Sequence, residues 1–155
     1  MAEIEFKLNG APVAVKAGDD EPLLYVLRNQ LGASSVRFGC GLEQCGCCVV
    51  LVDGAKAYAC TLPAVSVADK LVETVEGLAR PDGRPGPIQQ AFLDEQAGQC
   101  GYCLSGMLMA TKALLAANPT PSRADIVEAL DDQLCRCGAH ARIVKAVARA
   151  AGAST

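Results

Sequence analysis

Four cysteines fall within ten residues of the sequence, in the segment GCGLEQCGCC at 39–48. Three of them have the spacing C-x4-C-x2-C, and one more follows after eleven intervening residues, which gives the set Cys40, Cys45, Cys48 and Cys60. This is the spacing of the cysteine ligands in plant-type 2Fe–2S sites. Structural zinc sites usually pair their cysteines as C-x2-C from two separate places, so the pattern favours iron and sulfide over zinc.

The residues between these cysteines suit a loop that surrounds an anion. Four thiolates and two sulfides carry net negative charge, so a cluster needs backbone N–H groups directed at its sulfurs. Glycine permits the close approach and the left-handed backbone that such a loop requires, and the segment contains Gly39, Gly41 and Gly46. The remaining thiol, Cys47, is expected to face away from the cluster and to serve in packing, with a spare-ligand or redox-sensing role as the alternative.

A second set of thiols lies in the other half of the chain, with Cys100 and Cys103 as C-x2-C and Cys135 and Cys137 as C-x-C. Taken alone, this set is ambiguous, because a zinc site can also use a C-x2-C pair. The C-x-C pair is less usual for zinc and suits a cluster held at helix ends. Helices that begin near Ser105 and Ala139 would direct their N-terminal N–H groups at the anion.

The first half of the chain is predicted to be rich in β-structure. Apolar and polar residues alternate on both sides of the turn sequence Asn9-Gly10, and Asp53-Gly54 is a second hairpin turn. The predicted elements are strands at 4–8, 13–15, 49–52, 55–60 and 71–75, with one helix at 22–31. We expect Asp19 or Asp20 to cap this helix, with Pro22 in its first turn, and Gly32 to end it. These elements predict a small ubiquitin-like α+β unit.

The composition changes after this unit. Residues 76–87 contain three prolines and three glycines and are typical of a linker. The predicted organisation is therefore a first domain at 1–77, a linker at 78–87 and a helical domain at 88–155. Its predicted helices lie at 88–96, at 106–117, after the capping box Ser122-x-x-Asp125, and at 139–151. Four short helices predict a compact bundle.

Charge and hydropathy exclude several classes of function. The chain has 14 basic and 17 acidic residues without a run of like charge, which argues against nucleic-acid binding. Its longest apolar run, 107–117, is interrupted by Lys112 and is too short to insert across a membrane. The N-terminus lacks the basic and apolar regions of a secretory signal. We therefore expect a cytoplasmic protein, or one exported while bound to a partner that carries the signal. Nine cysteines in such a chain favour metal or redox chemistry over a disulfide scaffold.

Three motifs in sequence order, "GCGLEQCGCC…CTLP", "QCGYCLSGM" and "CRCGAHARI", together resemble the small iron–sulfur subunit of the molybdenum hydroxylases, the xanthine oxidase family. The resemblance covers nearly the whole chain. It implies an α+β fold in which a plant-type ferredoxin-like (β-grasp) domain precedes an all-α four-helix bundle domain. It also implies two 2Fe–2S clusters, the first held by Cys40, Cys45, Cys48 and Cys60, and the second by Cys100, Cys103, Cys135 and Cys137.

The same resemblance implies partner chains and a direction of electron flow. In the family, a molybdopterin in a separate large subunit oxidises the substrate, and here we expect its cytosine dinucleotide form. Electrons then pass through the helical-domain cluster to the ferredoxin-like cluster and on to an acceptor. Gln99 matches the family glutamine that contacts the pterin, with a helix-end cap as the alternative, and Cys137 matches the ligand nearest the pterin's amino group. The chain shows no candidate catalytic base or nucleophile, so the substrate site is expected on another chain.

Departures from the common family pattern indicate a branch. Ser105-Gly106 stands where Pro-Gly is common, and Gly138-Ala139-His140 stands where Thr-Gly-Tyr is common. These variants resemble the isoquinoline oxidoreductase, nicotinate dehydrogenase and aldehyde oxidoreductase branch. In that branch the acceptor is commonly a cytochrome c subunit, so a cytochrome is expected ahead of an FAD subunit. Alanine is usual in the family where Cys47 stands.

Three charged or titratable residues lie close to the cysteines. His140 is the only histidine, and a Rieske-type site needs a pair of histidines, so we expect it to cap the last helix or to meet a partner surface. Arg37 and Arg136 are near ligand cysteines in sequence. We hypothesise that they raise cluster potentials by offsetting negative charge, although most arginines are simply solvated.

Two other classes of function remain open on the residues. A free-standing ferredoxin shuttle is disfavoured because a shuttle needs only one exposed cluster and is usually more acidic. A zinc-stabilised interaction module is the other alternative, because the second cysteine set alone does not exclude zinc.

Overall fold

The computed structural model describes residues 1–152 and contains a mixed sheet followed by a group of helices. The elements are β1 Ala2–Leu8, β2 Ala11–Ala17, α1 Leu23–Asn29, β3 Val49–Val52, β4 Ala55–Tyr58, β5 Leu71–Glu73, α2 Pro87–Asp94, α3 Leu104–Ala117, α4 Arg123–Ala129 and α5 His140–Ala150. Two 3-10 turns, Ala64–Val67 and Val75–Leu78, flank β5. The predicted α+β fold, with a ferredoxin-like unit followed by a helical unit, is confirmed. The last three residues of the predicted helical domain, 153–155, lie outside the described residues.

The sheet has the strand order β2-β1-β5-β3-β4. Strands β1 and β2 form the predicted antiparallel hairpin across Asn9-Gly10, and β3 and β4 form the second across Asp53-Gly54. Strand β5 joins the two hairpins, parallel to β1 and antiparallel to β3. Strand β5 is shorter than predicted because Thr74 does not pair with a neighbouring strand. The backbone N–H of Thr74 instead donates to the side chain of Asn9 at 2.8 Å.

The predicted cap of α1 is wrong. Pro22 occupies the N-cap position, and no side chain caps the helix. The N–H groups of Leu23 and Leu24 instead donate to the carbonyls of Leu62 and Ala59, at 2.8 and 2.9 Å. Because the segment after β4 supplies these acceptors, neither Asp19 nor Asp20 is needed as a cap. The same segment is no longer part of the sheet, so β4 ends at Tyr58 instead of continuing to residue 60. Helix α1 ends at Asn29, with Gln30 as its C-cap, earlier than the predicted end before Gly32. Gly32 still has φ +69°, and the next N–H donates to the Leu27 carbonyl.

Strand β3 is covered on both faces. Val50 belongs to the core that includes residues of α1, whereas Val49 and Leu51 pack against Met109 of α3 on the opposite face. This explains why the strand is a continuous apolar run, VVLV, without alternation. Helix α3 therefore lies against the first domain as well as within the helical group.

The other helices follow their sequence signals closely. Ser122 and Asp125 form the predicted capping box at α4, with hydrogen bonds of 3.2 and 2.7 Å between each side chain and the other's backbone N–H. Helix α2 begins at Pro87, the last residue of the predicted linker, and α3 begins at Leu104, earlier than predicted. No helix in residues 1–152 is both long and apolar enough to cross a bilayer.

The two halves of the chain meet backbone to backbone at Gly46 and Gly106. A β-carbon added to Gly106 would lie 1.9 Å from the Gly46 carbonyl oxygen, which no side chain allows. The side-chain amide of Gln133 fills the space beside both glycines, and only 2% of this residue is exposed. We call this contact of Gly46, Gly106 and Gln133 the junction.

Ionic contacts also join the two halves of the chain. The carboxylate of Asp132 accepts hydrogen bonds from Lys56 Nζ at 2.8 Å and from the Tyr58 hydroxyl. Lys112 of α3 forms an ion pair with Glu73 of β5. Each of these contacts joins a helical-domain residue to a strand of the sheet.

We expect Gly106→Ala to lower the free energy of unfolding by about 2 kcal/mol, because the overlap with a backbone oxygen outweighs the gain in helix propensity. Urea unfolding of the purified chain, followed by circular dichroism, measures the change. Gly18→Ala is the matched control, since its added β-carbon would approach only the Glu21 side chain, at 3.8 Å. Equal stability of the two variants would show that the junction tolerates a side chain.

We expect Asp132→Asn to lower the free energy of unfolding by about 1 kcal/mol at pH 7. Burial alone would raise the pKa of Asp132, but hydrogen bonds from Lys56 and Tyr58 outweigh it and hold the pKa below its usual 3.8. A lowered folded-state pKa stabilises the fold above the unfolded-state value, and this stabilisation disappears as the pH falls through the folded-state value. Unfolding measured across the acid range tests this. The exposed neighbour Asp131, changed to Asn, serves as control, and an equal loss in both variants would contradict the role of Asp132.

Candidate metal centres

The loop that carries the first three cysteines of the first set turns its backbone N–H groups toward their sulfurs. The Cys40 sulfur accepts from the N–H groups of Leu42 and Gln44, both at 3.3 Å. The Cys45 sulfur accepts from the Cys40 N–H, also at 3.3 Å. Gly41 and Glu43 both have positive φ, 68° and 60°, and this conformation folds the loop back over its own thiols. Such a concave array of N–H donors stabilises an anion.

The fourth member of the first set comes from the end of the β3–β4 hairpin. Pairing of Val49 with Tyr58 brings the residues beyond both strand ends together, and the thiol of Cys48 interacts directly with that of Cys60. Thiols of Cys40 and Cys45 form the other pair. Thr61, next to Cys60, donates a hydrogen bond to the Glu43 carboxylate and so ties the hairpin to the cysteine loop. The structure therefore brings all four predicted residues of the first set into one site.

The two pairs of the first site lie in different surroundings. Burial raises the pKa of the Cys48 thiol to about 12. Burial also acts to raise the pKa of Cys40, but the N–H groups of Leu42 and Gln44 outweigh it and lower that pKa to about 7. The edge of the site at Cys48 is thus buried in the protein. The edge at Cys40 is nearer the solvent and is lined by backbone N–H donors.

The second set converges at two helix ends. Cys103 is the N-cap residue of α3, and Cys135 and Cys137 lie in the turn before α5. The N–H of Ala139, at the start of α5, donates to the Cys135 sulfur at 3.4 Å. The thiols again form two pairs, Cys100 with Cys137 and Cys103 with Cys135. The predicted helix-end arrangement of the second set is what the structure shows.

The second site also has a buried and an exposed side. Burial raises the pKa of the Cys103 thiol to about 12. Cys100 is exposed, and the backbone N–H of Tyr102 is the main cause of the lowered pKa of its thiol. The exposed side of this site carries Gln99, whose side-chain amide donates to the Cys137 carbonyl at 3.2 Å. Gln99 and Cys137 are therefore in contact, and Gln99 lies between α2 and α3 and caps neither.

The donor sets fit binuclear clusters. A 2Fe–2S cluster takes two thiolates at each of its two irons, so it needs thiols in pairs, and each site offers two pairs.

Cys47 lies beside the first set and packs toward the second. Its thiol is buried, interacts with the thiol of Cys45, and belongs to the same apolar cluster as Cys103 of the second site. Its carbonyl accepts a hydrogen bond from the Ser105 hydroxyl at 3.3 Å. Cys47 does pack, as predicted, but it packs between the two sites because the loop bends toward α3.

The remaining sequence candidates have distinct places. His140 is the first residue of α5, and its Nε2 lies 2.9 Å from the Gln133 carbonyl. Because a carbonyl only accepts, Nε2 carries the proton and donates. Arg136 is exposed to solvent. Arg37 is half-buried, and its Nη1 donates to the Gly101 carbonyl at 2.6 Å, which places it at the second site as well as beside the first.

Two residues that join the sites were not identified from the sequence. The N–H of Leu134 donates to the Cys45 carbonyl at 3.0 Å, and Gln133 fills the junction beside it. Both stand immediately before Cys135, so their closeness to the second cysteine set can be read from the sequence. No pattern of residue types indicates that this segment lies against the first cysteine loop.

The first site lies close to an exposed apolar patch. Leu42 is 67% exposed and Phe38 is 46% exposed, and the Phe38 ring stacks on that of Tyr25 with 6.4 Å between centroids. Leu42 is part of the cysteine loop, and the Phe38 ring lies beside Gly41 of the same loop.

Two sequence families match the chain, one for each half. The family described as a 2Fe-2S iron-sulfur cluster binding domain matches residues 6–74. The family described as a 2Fe-2S binding domain matches residues 74–148. Each matched segment contains one of the two cysteine sets.

Individual relatives match over nearly the whole chain. A nicotinate dehydrogenase subunit of Pseudomonas putida is 49% identical, with 96% of this chain and 94% of the relative covered. The alpha subunit of isoquinoline 1-oxidoreductase of Brevundimonas diminuta is also 49% identical, with 96% and 97% covered. Among solved structures, the aldehyde oxidoreductase of Desulfovibrio desulfuricans superposes with a TM-score of 0.93 at 37% identity, covering 98% of this chain and 17% of that chain. The chain therefore belongs to the small two-cluster iron–sulfur subunits of the molybdenum hydroxylase family.

Proposed function

We propose that the chain is the electron-transfer subunit of a molybdopterin-dependent hydroxylase or dehydrogenase whose substrate site lies on another chain. The observation that carries this proposal is the presence of two four-thiol sites whose loops contact each other directly. When bound, each 2Fe–2S cluster accepts and releases one electron at a time. The residues of this chain hold the two sites at a fixed separation, which allows a two-electron oxidation to be passed on in single steps.

The proposed ligands of the first cluster are Cys40, Cys45, Cys48 and Cys60, and those of the second are Cys100, Cys103, Cys135 and Cys137. Support comes from the pairing of the thiols within each site. Further support comes from the backbone N–H groups directed at Cys40, Cys45 and Cys135. Cys47 is outside both ligand sets in this proposal.

The second site is proposed to face the large subunit. Its exposed side carries Cys100 and Gln99, and the Gln99 amide donates to the Cys137 carbonyl. This leaves one amide N–H and the side-chain oxygen of Gln99 to bind a polar partner group, which we propose is the molybdopterin, in its cytosine dinucleotide form. Gln99 and Cys137 together are the proposed contact to that cofactor.

Electrons are proposed to leave through the first site. The side chains of Phe38 and Leu42, in and next to its loop, are exposed and offer an apolar surface to an acceptor protein. The names of the relatives include nicotinate dehydrogenase and isoquinoline 1-oxidoreductase, and we propose a cytochrome c acceptor ahead of an FAD subunit. The nine free thiols suit a reducing compartment such as the cytoplasm.

The alternative of a free-standing ferredoxin shuttle is not favoured. The relatives that match the whole chain are named as subunits of larger enzymes. A shuttle would also leave the exposed side of the second site without a use.

The metal content of the purified chain tests the proposal. We expect about four irons and four acid-labile sulfides per chain, and two distinct signals in electron paramagnetic resonance (EPR) after reduction, because two binuclear clusters are bound. Zinc measured on the same sample is the control. A zinc-loaded protein, or one with a single signal and half this iron, would overturn the two-cluster proposal.

Single cysteine changes test the ligand assignment. We expect Cys60→Ser to alter or abolish the EPR signal of the first cluster alone, because oxygen replaces one of its four sulfur ligands. The matched control is Cys47→Ala, which removes a neighbouring buried thiol and is expected to keep the full iron content and both signals. Loss of a cluster in Cys47→Ala, with Cys60→Ser fully loaded, would mean that Cys47 is the ligand.

A further inference from the structure

Arg37 precedes Cys40 in the first-site loop, but its side chain reaches the loop of the second site. Its Nη1 donates to the Gly101 carbonyl at 2.6 Å, and its guanidinium lies over the Tyr102 ring, 5.2 Å from the centroid. Tyr102 completes the contact, because its hydroxyl donates to the Phe38 carbonyl at 2.6 Å. We call this reciprocal contact of Arg37 and Phe38 with Gly101 and Tyr102 the clamp.

The clamp acts on the segment between two proposed ligands of the second cluster, Cys100 and Cys103. Gly101 and Tyr102 are the only residues between them, so fixing their backbone fixes the direction of both thiols. The guanidinium contacts both of these residues. Arg37 therefore places a positive charge directly beside the Cys100–Cys103 segment.

Arginine is suited to this place in a way that lysine is not. Its planar guanidinium can stack on an aromatic ring while an in-plane N–H donates to a carbonyl, and it stays charged at all working pH values. A lysine would keep the charge but could not make both contacts in one geometry.

We propose that Arg37 is a positioning residue of the second site, which holds the Cys100–Cys103 loop and raises the reduction potential of the cluster bound there. The inference rests on the proposed function, since it requires a 2Fe–2S cluster at that site. Reduction adds an electron to an anionic group, so a nearby fixed cation stabilises the reduced form more than the oxidised form. Sequence adjacency associated Arg37 with the first cluster, whereas its contacts associate it with the second.

The test is a redox titration of the holoenzyme followed by low-temperature EPR, with each cluster measured by its own signal. The Cys60→Ser variant assigns the first-site signal. We expect Arg37→Gln to lower the midpoint potential of the second cluster by more than that of the first. Arg37→Lys is expected to restore most of the second-cluster potential, because it keeps the charge, while its signal is broader than that of the native protein because the loop is held less firmly.

Two further variants separate charge from packing. Arg84→Gln removes the same charge from an exposed position paired with Asp82, and it is expected to leave both potentials unchanged. Tyr102→Phe keeps the ring under the guanidinium and loses only the hydroxyl contact, so it is expected to broaden the second signal and keep its potential.

An unchanged second-cluster potential in fully loaded Arg37→Gln would overturn the inference, as would an equal shift in Arg84→Gln or a shift of the first cluster alone. Loss of the second cluster from Arg37→Gln, with recovery in Arg37→Lys, would support the positioning role. Failure of the proposed function is distinguishable, because the native protein itself would then lack two iron–sulfur signals.

Discussion

The backbone contact between Gly46 and Gly106 is the constraint on which the rest of the structure depends. The carbonyl oxygen of Gly46, in the first cysteine loop, occupies the space that a β-carbon at position 106 of α3 would need. This close approach lets the Leu134 N–H reach the Cys45 carbonyl and lets the Ser105 hydroxyl reach the Cys47 carbonyl. Each donor is close in sequence to a thiol of the second set. The distance between the sites is thus set by contacts to main-chain oxygens of the first loop, which vary less than contacts between long side chains.

The two sites use the same physical solution on different scaffolds. A four-thiolate cluster is anionic and must be partly buried, so it needs donors that are already in place. At the first site a loop with positive φ angles directs its own N–H groups at Cys40 and Cys45, and at the second site the start of α5 directs an N–H at Cys135. Each site has a buried thiol, that of Cys48 in the first site and that of Cys103 in the second, and an edge that faces solvent. The exposed edges are left for partner proteins.

Much of the fold followed from local signals. The Asn9-Gly10 hairpin and the Ser122–Asp125 capping box were both predicted correctly, because turn and cap chemistry acts over a few residues. The start of α1 was not, because its first N–H groups are satisfied by carbonyls of Leu62 and Ala59, which lie far away in sequence. The early end of β5 has the same cause, since the side chain that takes the Thr74 N–H comes from the Asn9 turn. Errors occurred where a distant segment supplied the hydrogen-bond partner.

The sequence by itself grouped eight cysteines into two predicted sets of four, one in each half of the chain, because cysteine spacing and glycine placement are local properties. It also determined the family, through three motifs in order. Only the tertiary structure decided how the two sets are related: that Cys47 packs between them, that Gln133 and Leu134 join them, and that Arg37 serves the loop of the other site. The physical reason is that a contact across the junction depends on shape and hydrogen bonding between segments that are far apart in the chain. The spacing of residues along the sequence indicates neither the shape nor the hydrogen bonds.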